Sequence, residues 1–269
     1  MARPDSGADR LEGRNVVMEA LKRGRRRVYE IRLDERARPG EKLDALLALA
    51  AERRVPVARV PRERLDRESE TGVHNGVIAL AEPLPETTVQ GLLADLARDG
   101  KDPFLLLVDE VNYEHNLGAI LRSALGAGAQ AVIVPVRRGK GLTPVVQRVA
   151  MGGAEEVAVI REGLSSALAT LRRAGVRIVG ADMDGGPCWA TPMAGPLAIV
   201  LGGEDKGLSP TLRDRCDAIV SVPLQGGLDS LNVSVTAGVL MFEKVRQDAA
   251  VGTASAAPRV GAARGGPPA

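Results

Sequence analysis

Aromatic side chains are scarce. They make up 2% of the 269 residues, so a base-stacking surface built on Phe, Tyr or Trp is not expected. Cysteine is nearly absent. Cys188 and Cys216 stand apart, with no Cys or His at ligand spacing, which argues against a disulfide framework and against a metal site. His74 and His115 are the only histidines, and neither falls where a Ser-His-Asp relay or a metal triad can be assembled. No apolar run approaches the roughly 20 residues of a membrane span. The first residues lack the apolar core of a secretory signal. No excess of one charge exists either: the net charge is +2, so polyanion binding cannot be argued from the total. A globular cytoplasmic protein with no membrane segment is expected, long enough for one large or two modest domains.

What is present is organised. Basic residues cluster at Lys22-Arg-Gly-Arg-Arg-Arg27 and at Arg137-Arg-Gly-Lys140, runs that fit a solvated helix end as well as a nucleic-acid patch. Residues 1–10 are expected to be disordered. Residues 11–82 read as a small α/β unit, with helices near Asn15–Arg23 and Glu41–Arg53 and an edge strand near Pro56. Residues 83–102 read as a linker containing an amphipathic helix. Residues 103–247 alternate strand and helix, starting with the unbroken apolar run Phe104–Val108, which predicts an open, mostly parallel sheet buried on both faces. The last helix is apolar nearly all round at its start, from Val233 to Phe242, which predicts deep burial. Residues 248–269, rich in Ala, Gly and Pro, are expected to form a disordered tail.

Three stretches carry the candidate chemistry. In Asn116–Leu125 the residues Leu117, Ile120, Leu121, Ala124 and Leu125 form a core stripe, with Asn116 as the expected N-cap. Gly118 and Arg122 lie off the stripe, one turn apart, so Arg122 is expected to pass over Gly118 toward the anion-favouring helix start. The loop Gly202-Gly-Glu-Asp-Lys-Gly-Leu-Ser209 follows a buried strand, yet has the spacing of neither a P-loop nor a dinucleotide fingerprint. The stretch Val220–Ser234 reads as a strand, a turn at Gly226 and Gly227, and a helix start capped by Ser230 or Asn232. In an open α/β sheet all three lie at the C-terminal strand ends, where ligands bind.

Together, Asn116–Ala124, Ile199–Ser209 and Val222–Ser234 resemble the three ordered motifs of the SpoU/TrmH RNA 2′-O-ribose methyltransferases. Gly13–Val17 and Val73–Ala79 are similar to that family's substrate-binding domain. Arg148–Glu155 is closest in pattern to members that methylate a guanosine ribose in the peptidyl-transferase region of 23S ribosomal RNA, with Met151 where many members carry a small polar residue or Cys. The resemblance implies a SPOUT-like fold: a small N-terminal RNA-binding domain, then a parallel-sheet methyltransferase domain with a C-terminal trefoil knot. It implies S-adenosylmethionine as cofactor, held near Gly202, Gly203, Val222, Leu224, Gly226 and Leu231, and a homodimer acting on RNA without a metal. It assigns catalytic roles to Asn116, Arg122, Glu204, Ser230 and Asn232, and RNA contacts to Arg14, Asn15, His74, Asn75 and Arg122. The alternatives are a tRNA or antibiotic-resistance methyltransferase of the same family, or a non-catalytic RNA-binding protein. A nucleotide-dependent oxidoreductase is disfavoured by the missing fingerprint glycines.

Overall fold

The computed structural model describes residues 7–109, 113–136, 141–203 and 207–251. The N-terminal unit contains β1 (Asp9–Glu12), α1 (Arg14–Arg23), β2 (Val28–Asp34), α2 (Glu41–Glu52), β3 (Val57–Val60), α3 (Arg62–Glu68) and β4 (Val77–Ala81). Its sheet has the order β1-β4-β2-β3, with only β2 and β3 parallel. The helix α1 buries Val16, Val17, Ala20 and Leu21 on one face, and Gly24 ends it at φ 63°, a left-handed conformation that costs glycine little. The strand β3 takes the edge, as Pro56 predicts.

The strand β1 starts at Asp9, inside the segment expected to be disordered. Antiparallel pairing with β4 holds it, and Arg26 Nη1 donates to Asp9 Oδ2 at 2.7 Å. At its other end Glu12 is almost fully buried. Its carboxylate accepts from Ser69 Oγ at 2.7 Å, from the Glu70 and Thr71 amides at 2.6 and 3.1 Å, and from the Thr71 hydroxyl. Burial alone raises its pKa, but the hydrogen bonds from Thr71, Ser69 and the two amides outweigh it and hold the group below the ordinary carboxylate value. A lowered folded-state pKa gives stability that is full above the unfolded value of about 4.3 and is lost as pH falls through the folded value. Glu12→Gln is therefore expected to flatten the acid side of the stability–pH curve, measured by urea denaturation from neutral pH downward.

The second unit begins with α4 (Val89–Arg98), so the expected linker contains a helix of this unit. Thr88 caps α4 by accepting from the Gly91 amide at 3.0 Å, and Val89 packs with Leu105, Leu107 and Leu168. There follow β5 (Phe104–Val108), α5 (Glu114–Ala127), β6 (Ala131–Val134), α6 (Pro144–Ala150), α7 (Gly153–Glu156), β7 (Ala158–Arg161), α8 (Leu164–Arg173), β8 (Arg177–Pro187), β9 (Leu197–Leu201), α9 (Pro210–Arg213), β10 (Ala218–Ser221) and α10 (Val233–Val251). The strands form a fully parallel sheet in the order β10-β8-β9-β5-β6-β7. Alternate residues of β5 serve opposite layers: Phe104, Leu106 and Val108 face α5, α6 and α10, while Leu105 and Leu107 face α4, α8 and α9. The order reverses beside β5, since β6 and β7 lie on one side and β9, β8 and β10 on the other.

Several expectations are corrected. The helix α5 starts at Glu114 with Tyr113 as N-cap, so Asn116 sits inside its first turn and is not the cap. Gly118 is buried, and a Cβ there would meet Val149 Cβ at 2.6 Å; its bareness admits α6 and does not clear a path for Arg122. Gly153 acts similarly, since a Cβ would lie 2.5 Å from Leu121 O and 3.0 Å from the Arg122 amide. That close approach makes Gly153–Glu156 a helical turn and delays the following strand to Ala158. The helix α10 runs to Val251, beyond the expected tail boundary, because Asp248 accepts from the Gly195 amide at 2.9 Å and pairs with Lys244. It is only half buried: Ala237, Leu240 and Met241 face the core, while Val235 and Phe242 are each 50% exposed. No described helix is long and apolar enough to cross a membrane.

The two units dock through α1 and β1 against α6 and α7. Arg26 is the centre of the joint, with its side chain 0% exposed. Its Nε donates to both Glu155 oxygens at 3.1 and 3.2 Å, its Nη1 to Asp9, and its Nη2 to Gln147 Oε1 at 2.6 Å and to Glu155 Oε1. Arg23 and Arg25 both reach Glu156, at 3.2 and 3.8 Å. Half of the first basic run is thus interdomain clamp. The second run, 137–140, lies outside the described residues.

Candidate functional site

A cavity of about 810 Å³ opens at the C-terminal ends of β9 and β10 and beside the middle of β8, next to the point where the strand order reverses. This is where an open α/β sheet binds ligands. Its floor is made by Leu201 and Val220, the strand ends. Gly202 and Gly203 leave β9, and Gly203 pairs with Gly207 through two amide–carbonyl bonds of 3.1 Å. A Cβ on Gly202 would lie 2.1 Å from the Gly207 carbonyl carbon, so this tight return requires glycine. The far wall is the segment Val222–Asn232 and the start of α10.

Asn232 joins the helix start to the cavity. Its Oδ1 accepts from the Ser234 amide at 2.9 Å, capping α10, while its Nδ2 donates to Asn116 Oδ1 at 3.1 Å. One side chain therefore fixes both α10 and the first turn of α5. Asn232→Ala is expected to cost about 1 kcal/mol through the lost cap and to remove one of Asn116's hydrogen bonds, effects that a melting curve paired with an activity assay will separate.

Of the remaining residues expected to form the site, Gly202, Gly203, Val222, Leu224, Ser230 and Leu231 line the cavity. Gly226 does not; at φ 73°, like Gly227, it makes the turn before α10. Glu204 lies outside the described residues. Arg122 is exposed on α5 and lies outside the cavity lining, about 9 Å further along the helix axis than Asn116 at 1.5 Å per residue. Arg14, Asn15 and Asn75 gather instead at a separate cleft between the two units. His74 is not free to join them. It is 1% exposed, its Nδ1 accepts from the Gly76 amide at 3.1 Å, and its Nε2 bonds Asp66 Oδ1 at 2.8 Å. With Nδ1 accepting, Nε2 carries the proton, and the ring serves as a brace for the turn at Asn75.

The cavity also holds residues that the motifs did not mark. Asp182 lines it from the middle of β8, just past the residues that pair with β9, with Arg213 Nη1 3.3 Å away. Asp184 takes both terminal nitrogens of Arg213 at 2.8 Å, and that hydrogen bonding holds its carboxyl below the ordinary value. Asp229 is a second carboxylate in the lining, and among the described residues no Lys or Arg lines the cavity. Among the described residues the lining thus mixes apolar side chains with polar groups, and its charged members are carboxylates. Asp182 could have been found in the sequence, because it follows Val176–Gly180, which reads as a strand.

Comparison with known proteins agrees with this geometry. The model of the SpoU rRNA methylase family matches residues 103–242. The chain belongs to this family. A second model, RNA 2′-O ribose methyltransferase substrate binding, matches residues 10–87, so the SpoU domain and its N-terminal companion account for both units. The chain is 40% identical over 244 residues to the 23S rRNA (guanosine-2′-O-)-methyltransferase RlmB of Pseudomonas putida, covering 90% of this chain and 98% of that one. It is 36% identical to the RlmB of Escherichia coli K12, covering 89% and 99%. A crystal structure of an RNA 2′-O ribose methyltransferase superposes with a TM-score of 0.74 at 26% identity, covering 92% of this chain and 91% of that one. The glycine loop after β9 and the cap at Asn232 are therefore elements of a SpoU domain in its usual order.

Proposed function

We propose that the protein transfers a methyl group from S-adenosylmethionine to the 2′-oxygen of a guanosine ribose in 23S ribosomal RNA, in the cytoplasm. The observation that carries this reading is the cavity at the strand ends of a SpoU domain, where apolar side chains, glycine backbone and carboxylates line one space. S-adenosylmethionine has a sulfonium and an ammonium against one carboxylate, and Asp229 suits that net positive charge, while Asp182 is already paired with Arg213. The apolar side chains of Leu201, Val222, Leu224 and Leu231 suit its adenine, and the backbone of Gly202 and Gly203 offers polar groups to its edge. When bound, this cofactor supplies an electrophilic methyl on a positive sulfur.

The chain's own residues do the rest. Holding the ribose oxygen in line replaces an improbable encounter. Arg122 grips the phosphate beside the target ribose and helps the hydroxyl lose its proton. Asn116, fixed by Asn232, orients the ribose at the cavity mouth; Ser230 and Glu204 assist it. Arg14, Asn15 and Asn75 hold RNA on the N-terminal unit. Membership of the family also carries the expectation of a trefoil knot, formed where the segment after β10 passes the loop after β9. Incubating the protein with labelled S-adenosylmethionine and either 23S RNA or tRNA tests the reading. Transfer to 23S RNA supports it. Transfer to tRNA alone favours the other branch of the family, and RNA binding with no transfer favours a non-catalytic role.

A homodimer completes this reading. The exposed apolar face of α10 carries Val235, Val239, Phe242 and Val245. Phe242 Cζ lies 3.6 Å from where a Gly126 Cβ would stand, so the patch extends onto α5, where Gly126 is one turn from Arg122. A second copy covering this face brings its own surface beside Arg122. Phe242→Glu is expected to convert a dimer to a monomer in analytical ultracentrifugation and to lower activity with it.

A further inference from the structure

We infer that the cleft between the two units is a composite RNA site, in which Arg148 of the SpoU domain and Arg14 and Lys42 of the N-terminal unit clamp one backbone phosphate flanking the target ribose. The inference rests on the RNA methyltransferase reading and adds to it where the strand runs after it leaves Arg122. The cleft has a volume of about 490 Å³ and is lined from both units. Four of its side chains are cationic: Arg14, Lys42, Arg62 and Arg148. Its one acidic residue, Glu12, is already committed to Ser69, Thr71 and the Glu70 amide. Among the described residues the two cavities thus differ in charge: the charged members of one lining are carboxylates, and those of the other are mostly basic.

Two features mark the cleft as built for an anion. The Nε atoms of Arg14 and Arg148 are buried with no hydrogen-bond partner among the described residues, a state shared by Arg10, Arg32 and Arg177 elsewhere, but only in the cleft do two such arginines face one space from both units. The first turn of α1 also faces it, since Arg14, Asn15 and Val16 line the cleft and the N-cap Gly13 brings no side-chain acceptor. Arg62 is partly spent on Asp34 at 3.6 Å and acts as a rim charge. Arg14 and Arg148 can grip phosphate oxygens in forked geometry.

The position relative to Arg122 gives the site its direction. Met151 lines the cleft, and Asn15 Nδ2 lies 3.8 Å from its sulfur. Two residues later, Gly153 packs against the Arg122 amide. The turn Met151–Gly153 therefore spans from the cleft to the arginine that holds the target phosphate, and a strand lying on this turn meets both. The Arg26 network sets the spacing of the two halves, so the cleft reads RNA only while the units stay docked.

The test uses the full-length protein and a transcript of 23S RNA bound over a series of salt concentrations. Arg148→Ala and Arg14→Ala are each expected to weaken binding about ten- to a hundredfold and to reduce the slope of log affinity against log salt by about 0.7 to 0.9. The double variant is expected to lose less than the product of the two, because both side chains hold one phosphate. In turnover assays the loss appears in KM for RNA, while affinity for S-adenosylmethionine, measured by calorimetry, stays at the wild-type value. Lys42→Ala, at an exposed position, gives the same reduction in slope if either arginine variant fails to fold. Unchanged RNA affinity and salt slope in folded Arg148→Ala or in Lys42→Ala would overturn the inference. A wild-type protein that binds RNA through the cleft yet transfers no methyl group would instead overturn the catalytic reading and leave the cleft standing.

Discussion

Replacing Arg26 by alanine is expected to cost about 3–5 kcal/mol of the free energy that holds the two units together. The guanidinium is 0% exposed and its main partner, Glu155, is 2% exposed, so its removal strands a buried carboxylate between the domains. Asp9 is affected as well. Burial already raises its pKa, and Arg26 is the charge and hydrogen-bond donor that opposes the rise. Without Arg26, Asp9 is driven further toward the neutral form. The expected readout is a single unfolding transition that splits in two, with a larger radius of gyration in solution scattering. Replacing Arg26 and Glu155 together by apolar residues of similar size is expected to recover much of the loss, because the desolvation cost of both charges goes with them. A single unchanged transition in Arg26→Ala would mean that the joint is held by its apolar contacts alone.

Arg122→Ala is expected to lower the rate of methyl transfer about 100–1,000-fold, the scale of losing one preorganised donor to developing charge. Affinity for S-adenosylmethionine should stay near the wild-type value, since Arg122 lies outside the cavity lining. Arg122→Lys should recover only part of the rate, because lysine keeps the charge and loses the planar fork that fits a phosphate. Single-turnover kinetics at saturating RNA separates this loss from weaker binding. An Arg122→Ala enzyme with full single-turnover rate would move the catalytic role elsewhere.

The parallel sheet was legible in the sequence because strands buried on both faces are continuous apolar runs, as Phe104–Val108 and Leu197–Leu201 are. The stripe of α5 was legible for the same reason, since Leu117, Ile120, Leu121 and Ala124 recur at helical spacing and are buried. Legibility ended where a partner chooses the structure. The strand β1 has only Leu11 as an apolar residue; β4, far along the chain, supplies its antiparallel pairing, Leu11 opposite Ala79 and Glu12 opposite Ile78. Arg26 sits in a basic run that reads as a solvated helix end or a nucleic-acid patch, and Glu155 draws it inside from across the domain boundary. The start of α10 is apolar nearly all round, and periodicity cannot say whether its second face meets the core or another surface. At the site, the glycines and amides were visible as loops at strand ends, and the Asn232 cap was visible as a helix start. Asp182 follows the run Val176–Gly180 yet was not singled out, because the glycine loops it stands beside come from elsewhere in the chain.

On the proposed reading, one cavity takes the cationic cofactor and the cleft takes the RNA backbone. The most direct test is to treat unmodified 23S ribosomal RNA with the protein and S-adenosylmethionine, digest it, and map the methylated nucleotide by mass spectrometry. The expected result is one 2′-O-methylguanosine at a single position in the peptidyl-transferase region, absent with Arg122→Ala. A methyl group found on a base, or no methylation of 23S RNA by a protein that binds the cofactor normally, would contradict it.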